Sequence, residues 1–458
     1  MLELDVSKWA QDQFGTCQLG DVRRTRRAVK FAAQVAANPS GPTPEQTEKW
    51  GECKAAYRLF DQEEVTFAAL ASPHWEQTRA GFTGHVLLLN DTTDVCFGQR
   101  EIAGMGMIQD EQHPGFLLHS ALAVQADTGV VLGMAAQTIR HRRRRRKQHS
   151  RQRLKCKDRE SRLWGDVIDL VGPPPEDVLY THVCDRGADN FEVYCHLVQQ
   201  RALWVIRAAQ VDRLVFTPQG QKLRLDEYLA TLPLAGTYQL ELKGTEKYAA
   251  RTAQIEVRFG SLVMPRPHDV SQFVKDSGIR EIPMQAVEVR EVDPPQGVTP
   301  LSWVLYTAHA VRNFDQAYRV IGFYEQRPVV EDYHKALKTG CRLEARLYET
   351  AARLEALTGV LSVVAVRLLQ LKTVARTEPE RPAAEVVPKK WLAMINCLPQ
   401  PKPRPVVSVY DFYRAMARLG GFLGRKSDGE PGWITLWRGF EKLHLLVRGA
   451  ETLRGKCG

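Results

Sequence analysis

Two aspartates follow apolar runs directly, Asp91 after VLLLN and Asp185 after VLYTHVC. A carboxylate at or just beyond a strand end is where open α/β sheets place their active sites. An aspartate there also caps turns, so either one alone has two readings. Farther along, Tyr324, Arg327, Glu331 and Lys338 stand at relative positions 0, 3, 7 and 14. At about 100° per residue these offsets fall within roughly 60° of one another on a helix. A phenol, a guanidinium, a carboxylate and an ammonium would then share one face, as a functional set or as a solvated stripe of ion pairs. Pro328 interrupts that helix, because proline lacks the N–H and is tolerated only at the first helical position. A break is therefore expected near Arg327, with Tyr324 on the preceding helix and Glu331 and Lys338 sharing a face of the following one.

The elements that must position these groups are legible in the hydrophobic periodicity. Residues 1–70 read as short helices, with apolar residues at helical spacing in Val29, Phe31, Ala32 and Val35 and again in Ala55, Ala56, Leu59 and Phe60. From Val86 the pattern turns to strands: VLLLN, FLLHSALAVQA and VVLGMAAQTI, then VLYTHVCD and LWVIRAAQ separated by helices. A strand-rich stretch containing YQLELKG, TAQIEVRFG and MQAVEVREV leads to LSWVLYTA. From about residue 313 the chain reads as helical, with proline-rich breaks at TEPERPAAEVVP and LPQPKPRP. The order is that of a mixed α/β core interrupted by a β-rich insertion.

At 458 residues and 51.8 kDa, two or three domains are expected. Apolar residues are 44% and charged residues 25%, as in a globular protein. The net charge of +10 and pI near 9.1 favour a polyanionic partner, with nucleic acid first. A membrane is the rival, but the most apolar stretch, Leu354 to Leu371, contains Glu355 and Arg367 and reads as a buried helix. The start MLELDVSKWAQDQ lacks a signal-peptide pattern, and nine cysteines without a C-x-x-C pair fit a reducing cytoplasm. Twelve histidines are scattered without zinc-ligand spacing.

The set Tyr324, Arg327, Glu331 and Lys338, within YEQRPVVEDYHKALKTG, resembles the Y-x2-R-x3-E-x6-K motif of the bacterial insertion-sequence transposases of the DDE class, the group that includes the Tn-five transposase. Asp91 in NDTTD and Asp185 in CDRGAD are similar to that family's first and second aspartate motifs. Arg207 in WVIRA, Trp303 in PLSWVLYT, the N-terminal LGDVRRTRR and the C-terminal MARLGGFLGRKSDGEPGWITLWRGFEKL also look like family segments. The resemblance runs in register over nearly the whole chain, with the motifs in order.

The resemblance implies a ribonuclease-H-like catalytic core at 71–372 with a β-rich insertion at about 208–300. It also implies a helical DNA-end-recognition domain at 1–70 and a helical dimerisation domain at 373–458. Asp91, Asp185 and Glu331 would meet in space and hold two Mg²⁺ or Mn²⁺ ions, whose hard character suits carboxylates. The activity implied is cut-and-paste transposition of double-stranded DNA, through nicking, a hairpin, its reopening and joining to target DNA. A homodimer on paired ends, working in the cytoplasm on the nucleoid, would carry it out. Tyr324, Arg327, Lys338 and Arg207 would contact the DNA backbone, and Trp303 would receive a flipped base. Arg23, Arg24, Arg26 and Arg27 would meet the transposon end. Pro328 stands where close relatives carry a tryptophan, which removes a stacking partner from the hairpin step. The run Arg142 to Lys147 reads as a nonspecific basic patch. A noncatalytic DNA-binding inhibitor derived from a transposase and a nuclease that cuts without joining are the alternatives.

Overall fold

A computed structural model describes residues 5–47, 49–108, 112–142, 159–242, 244, 250–399, 405–425 and 428–454. Strands β1 (Gly84–Cys96), β2 (Gly115–Gln125) and β3 (Val131–Arg140) form an antiparallel meander. β4 (Val178–Cys184) joins the other edge of β1 in parallel, and β5 (Leu203–Arg207) joins β4 in parallel. Helices Arg162–Val171 and Phe191–Gln199 precede these two strands. β11 (Ser302–Thr307) then pairs antiparallel with β5.

Between β5 and β11 the chain makes β6 (Leu214–Phe216), β7 (Lys222–Arg224), β8 (Gly236–Leu242), β9 (Arg251–Pro265) and β10 (Glu281–Val292). These continue the same sheet, giving the order β3-β2-β1-β4-β5-β11-β10-β9-β6-β7 with β8 on β9. The mixed α/β architecture is as expected. The short β6 and β7 have no sequence signal, being only three residues each.

Alternation along β1 shows why both faces of the sheet are covered. Leu87 and Leu89 enter one buried cluster, whereas Val86 and Leu88 enter the other. The first cluster is covered by Ala351–Thr377, Pro328–Lys335 and the N-terminal helices, the second by Arg162–Val171 and Phe191–Gln199. Ala351–Thr377 is long and apolar enough to cross a membrane, yet 83% of its most apolar window is buried inside the fold. Core packing accounts for its composition.

The helices Val409–Leu419 and Trp433–Arg454 cross at two glycines. A Cβ on Gly420 would lie 1.8 Å from the Thr435 carbonyl oxygen, and one on Gly439 would lie 1.8 Å from that of Met416. These contacts are with backbone, so no side-chain adjustment relieves them. Gly439→Ala is expected to destabilise the C-terminal region by roughly 1–3 kcal/mol through overpacking. Gly449→Ala on the same helix meets nothing within 4 Å and should stabilise by up to about 1 kcal/mol. Thermal unfolding of the two variants checks the contrast.

Candidate active site

Asp185 stands directly after β4, as its sequence predicts, but Asp91 does not end a strand. β1 runs on to Cys96 because β2 keeps pairing with it, Asp91 lying opposite Ser120. The parallel ladder to β4 stops at Leu89 and Val183, so only that side of β1 opens beyond Asn90. Asp91 therefore borders a crevice without terminating its strand.

The same end of the sheet carries two other candidates. Cys184 is level with Ile206, which puts Arg207 beside Asp185 in register. Arg207 is level with Leu305 of the antiparallel β11, so Trp303 lies two residues farther out toward that end. Trp303 is partly buried against the core, and its indole nitrogen has no hydrogen-bond partner.

Two helices close over this end. Phe314–Glu325 carries Tyr324, and Pro328–Lys335 carries Glu331, with Pro328 at the first helical position. The expected break is present at Gln326 and Arg327. Lys338 departs from expectation: it sits in a π-helical turn, Ala336–Gly340, whose wider winding ends the α-helical register it would share with Glu331. Its ammonium faces Glu344 at 3.4 Å.

At the centre, the Arg327 guanidinium meets all three carboxylates. It donates to Glu331 at 2.7 Å, to Asp91 at 3.1 Å and to Asp185 at 3.5 Å. Residues 94 and 146 positions apart in sequence thus converge on one cation. Burial pushes the Asp91 carboxyl up, but His334 and Arg327 beside it pull further the other way and leave it below the usual carboxylate range. Burial raises Asp185, and the Gly187 N–H and Arg327 only partly offset this while Asp91 and Glu331 add to it. Neighbouring carboxyls whose proton affinities are pushed apart are common at functional sites. Burial also raises the Tyr324 phenol, with Arg207 and Arg327 opposing it.

A carboxyl whose folded value lies above its unfolded one costs stability when charged, and the cost disappears as pH falls through the raised value. Asp185→Asn should therefore raise the melting temperature of the metal-free protein at neutral pH. The gain should fade on acidification; calorimetry at several pH values checks both.

Among the described residues, no three His, Cys, Asp or Glu groups are placed so as to hold one metal ion as they stand. The guanidinium lies between the carboxylates instead.

The N-terminal arginines divide. Arg23 is exposed and pairs with Asp21 at 2.7 Å. Arg24 is tied inward, to the Leu19 carbonyl, Gln62 and Glu64, and so clamps its helix to a neighbouring turn. Arg26 is exposed and Arg27 half-buried. Of the basic run, Arg142 contacts Glu160, whereas Arg143 to Lys147 lie outside the described residues.

Three positions escape the motif reading. His334 is buried against Asp91. Lys335, four residues after Glu331, keeps 55% of its side chain exposed. Trp50 is 68% exposed with the Lys54 ammonium 5.2 Å over its ring. The i,i+4 spacing of a basic residue was the available signal for the last two.

Residues 6–65 match the family described as transposase DNA-binding, and residues 363–457 match the transposase Tn5 dimerisation domain. The two matches support a Tn5-like transposase. The converging carboxylates lie in the stretch between the two matches. A solved structure, the cryo-EM piggyBac transposase synaptic complex with hairpin DNA, is 10% identical, with 87% of this chain and 83% of that chain covered. Its TM-score is 0.33.

Proposed function

We propose that this chain is a transposase that cuts and joins double-stranded DNA by a cut-and-paste route, with Asp91, Asp185 and Glu331 as its metal-binding, catalytic carboxylates. The observation that carries this reading is the convergence of the three on the single Arg327 guanidinium. Oxygen donors that gather around one positive charge are chemically suited to hard divalent cations. The strand order β3-β2-β1-β4-β5, antiparallel then parallel, supports a ribonuclease-H-like core with an inserted β-rich region.

Asp91, Asp185 and Glu331 would hold two Mg²⁺ or Mn²⁺ ions, which when bound supply an activated water and stabilise the leaving oxygen. Arg327 then serves a scissile-strand phosphate, for which its planar fork is suited. Tyr324, Arg207 and Lys338 hold the backbone around the cut, and Trp303 offers a stacking surface to a base displaced during hairpin formation. Arg23, Arg26 and Arg27 meet transposon-end DNA, with Arg24 supporting their helix. The region matching the dimerisation family pairs two ends in a homodimer.

One observation favours a second reading, a noncatalytic DNA-binding inhibitor: the Arg327 guanidinium already sits among the three carboxylates, where a cation would lie. Incubation with element ends, target plasmid and Mg²⁺, resolved on denaturing gels, separates the two. Nicks, hairpins and joined products support the transposition reading; binding without cleavage supports the inhibitor.

A further inference from the structure

Asp91, Ser120 and Gln137 form a row across three adjacent strands, since Asp91 is opposite Ser120 on β2 and Ser120 is opposite Gln137 on β3. Directly opposed residues of antiparallel strands present their side chains to the same face. The Pro328–Lys335 helix lowers Tyr333 and His334 onto this row, and both are buried.

The hydrogen bonds give the row a direction. The Gln137 side-chain nitrogen lies 2.9 Å from Ser120 Oγ and 2.9 Å from the Tyr333 hydroxyl, and an amide nitrogen can only donate. Ser120 Oγ therefore accepts from Gln137 and keeps its own hydrogen for His334 Nε2, 3.4 Å away. An imidazole that accepts at Nε2 carries its proton at Nδ1. Nδ1 faces Asp91 Oδ2 at 3.6 Å, slightly beyond hydrogen-bond range, while Arg327 donates to Asp91 Oδ1. Arg327 and His334 are thus nearest different oxygens of the carboxylate.

We infer that His334 is a positioning residue for Asp91, its Nδ1–H orienting the carboxylate at the oxygen that Arg327 does not contact, through the Gln137–Ser120–His334 relay. This rests on the reading of Asp91 as a metal-binding carboxylate. His334 touches neither substrate nor ion in this role. It fixes the orientation in which the Asp91 carboxylate meets the crevice. Such outer partners of ligating carboxylates matter because an unrestrained carboxylate must be ordered at the moment of binding.

The test is Mn²⁺ binding to the full chain without DNA, followed by electron paramagnetic resonance, for wild type, Asp91→Ala and three variants of His334. His334→Ala should weaken Mn²⁺ binding about 10- to 100-fold. His334→Asn, whose amide nitrogen can take the place of Nδ1, should recover most of that loss. His334→Gln, which fills the volume but presents its nitrogen nearer the Nε2 position, should not. Full-strength binding by His334→Ala, or equal binding by the Asn and Gln variants, would overturn the inference alone. Wild-type binding indifferent to Asp91→Ala would remove the metal reading and the inference with it. Melting curves accompany each variant, and a binding loss in His334→Asn as deep as in His334→Ala, with folding intact, also counts against the relay.

Discussion

Alanine at Asp91, Asp185 or Glu331 is expected to reduce strand cleavage by on the order of 10³-fold or more, while binding of the transposon end changes little. The size follows from the chemistry: metal-held charge stabilisation contributes several kcal/mol to a phosphoryl transition state, and each 1.36 kcal/mol is tenfold in rate. Binding should persist for two reasons. Arg23, Arg26 and Arg27 lie on another helix, Val22–Ala37, and removing a carboxylate from a site that meets phosphate reduces repulsion. Each loss should be nearly complete by itself, because the three side chains converge on one cation and act as a unit. Cleavage rates and gel-shift affinities measured on the same preparations check this. Appreciable cleavage by any one variant removes that residue from the set.

Asp189→Ala should behave in the opposite way, costing about 3–5 kcal/mol of stability, the loss expected when a buried ion pair loses one partner. Asp189 is only four residues past Asp185 in CDRGAD, yet its side chain is fully buried. It accepts from the Tyr194 hydroxyl at 3.0 Å and the Ala209 N–H at 2.7 Å, and it pairs with Arg213, which also donates to the Asp189 carbonyl at 3.2 Å. Removing the carboxylate strands the Arg213 charge and two donors inside the protein. The loop after β4 that carries Asp185 loses its anchor to the chain after β5. Asp189→Asn should cost less, since it still accepts hydrogen bonds. Chemical denaturation distinguishes the two aspartates: Asp185→Ala is near neutral in stability, Asp189→Ala is not.

That contrast marks where sequence reading reaches its limit. Asp185 and Asp189 are alike in type and setting, and only burial separates them. The strands themselves were readable because each is a short apolar run bounded by turn residues, and Pro328 announced the helix break. The end of β1 was not readable. NDTTDVC looks like a turn, and its extension to Cys96 depends on pairing with β2, a long-range contact. Lys338 illustrates the same point at the helix end, where a π turn that no local periodicity announces moves it toward Glu344. His334 carries no signal in the sequence, because a histidine on a helix is ordinarily a core or surface residue; only the row of Asp91, Ser120 and Gln137 beneath it suggests more.

The most direct test of the central claim is end cleavage by Asp185→Cys in Mg²⁺ and in Mn²⁺, beside wild type and Asp185→Ala. A thiolate is a poor ligand for Mg²⁺ and a better one for the softer ion. A variant inactive in Mg²⁺ that recovers cleavage in Mn²⁺, with the alanine variant inactive in both, is the result predicted for a carboxylate that holds the metal. Cleavage by Asp185→Ala in either metal would contradict it, as would equal activity of Asp185→Cys in both.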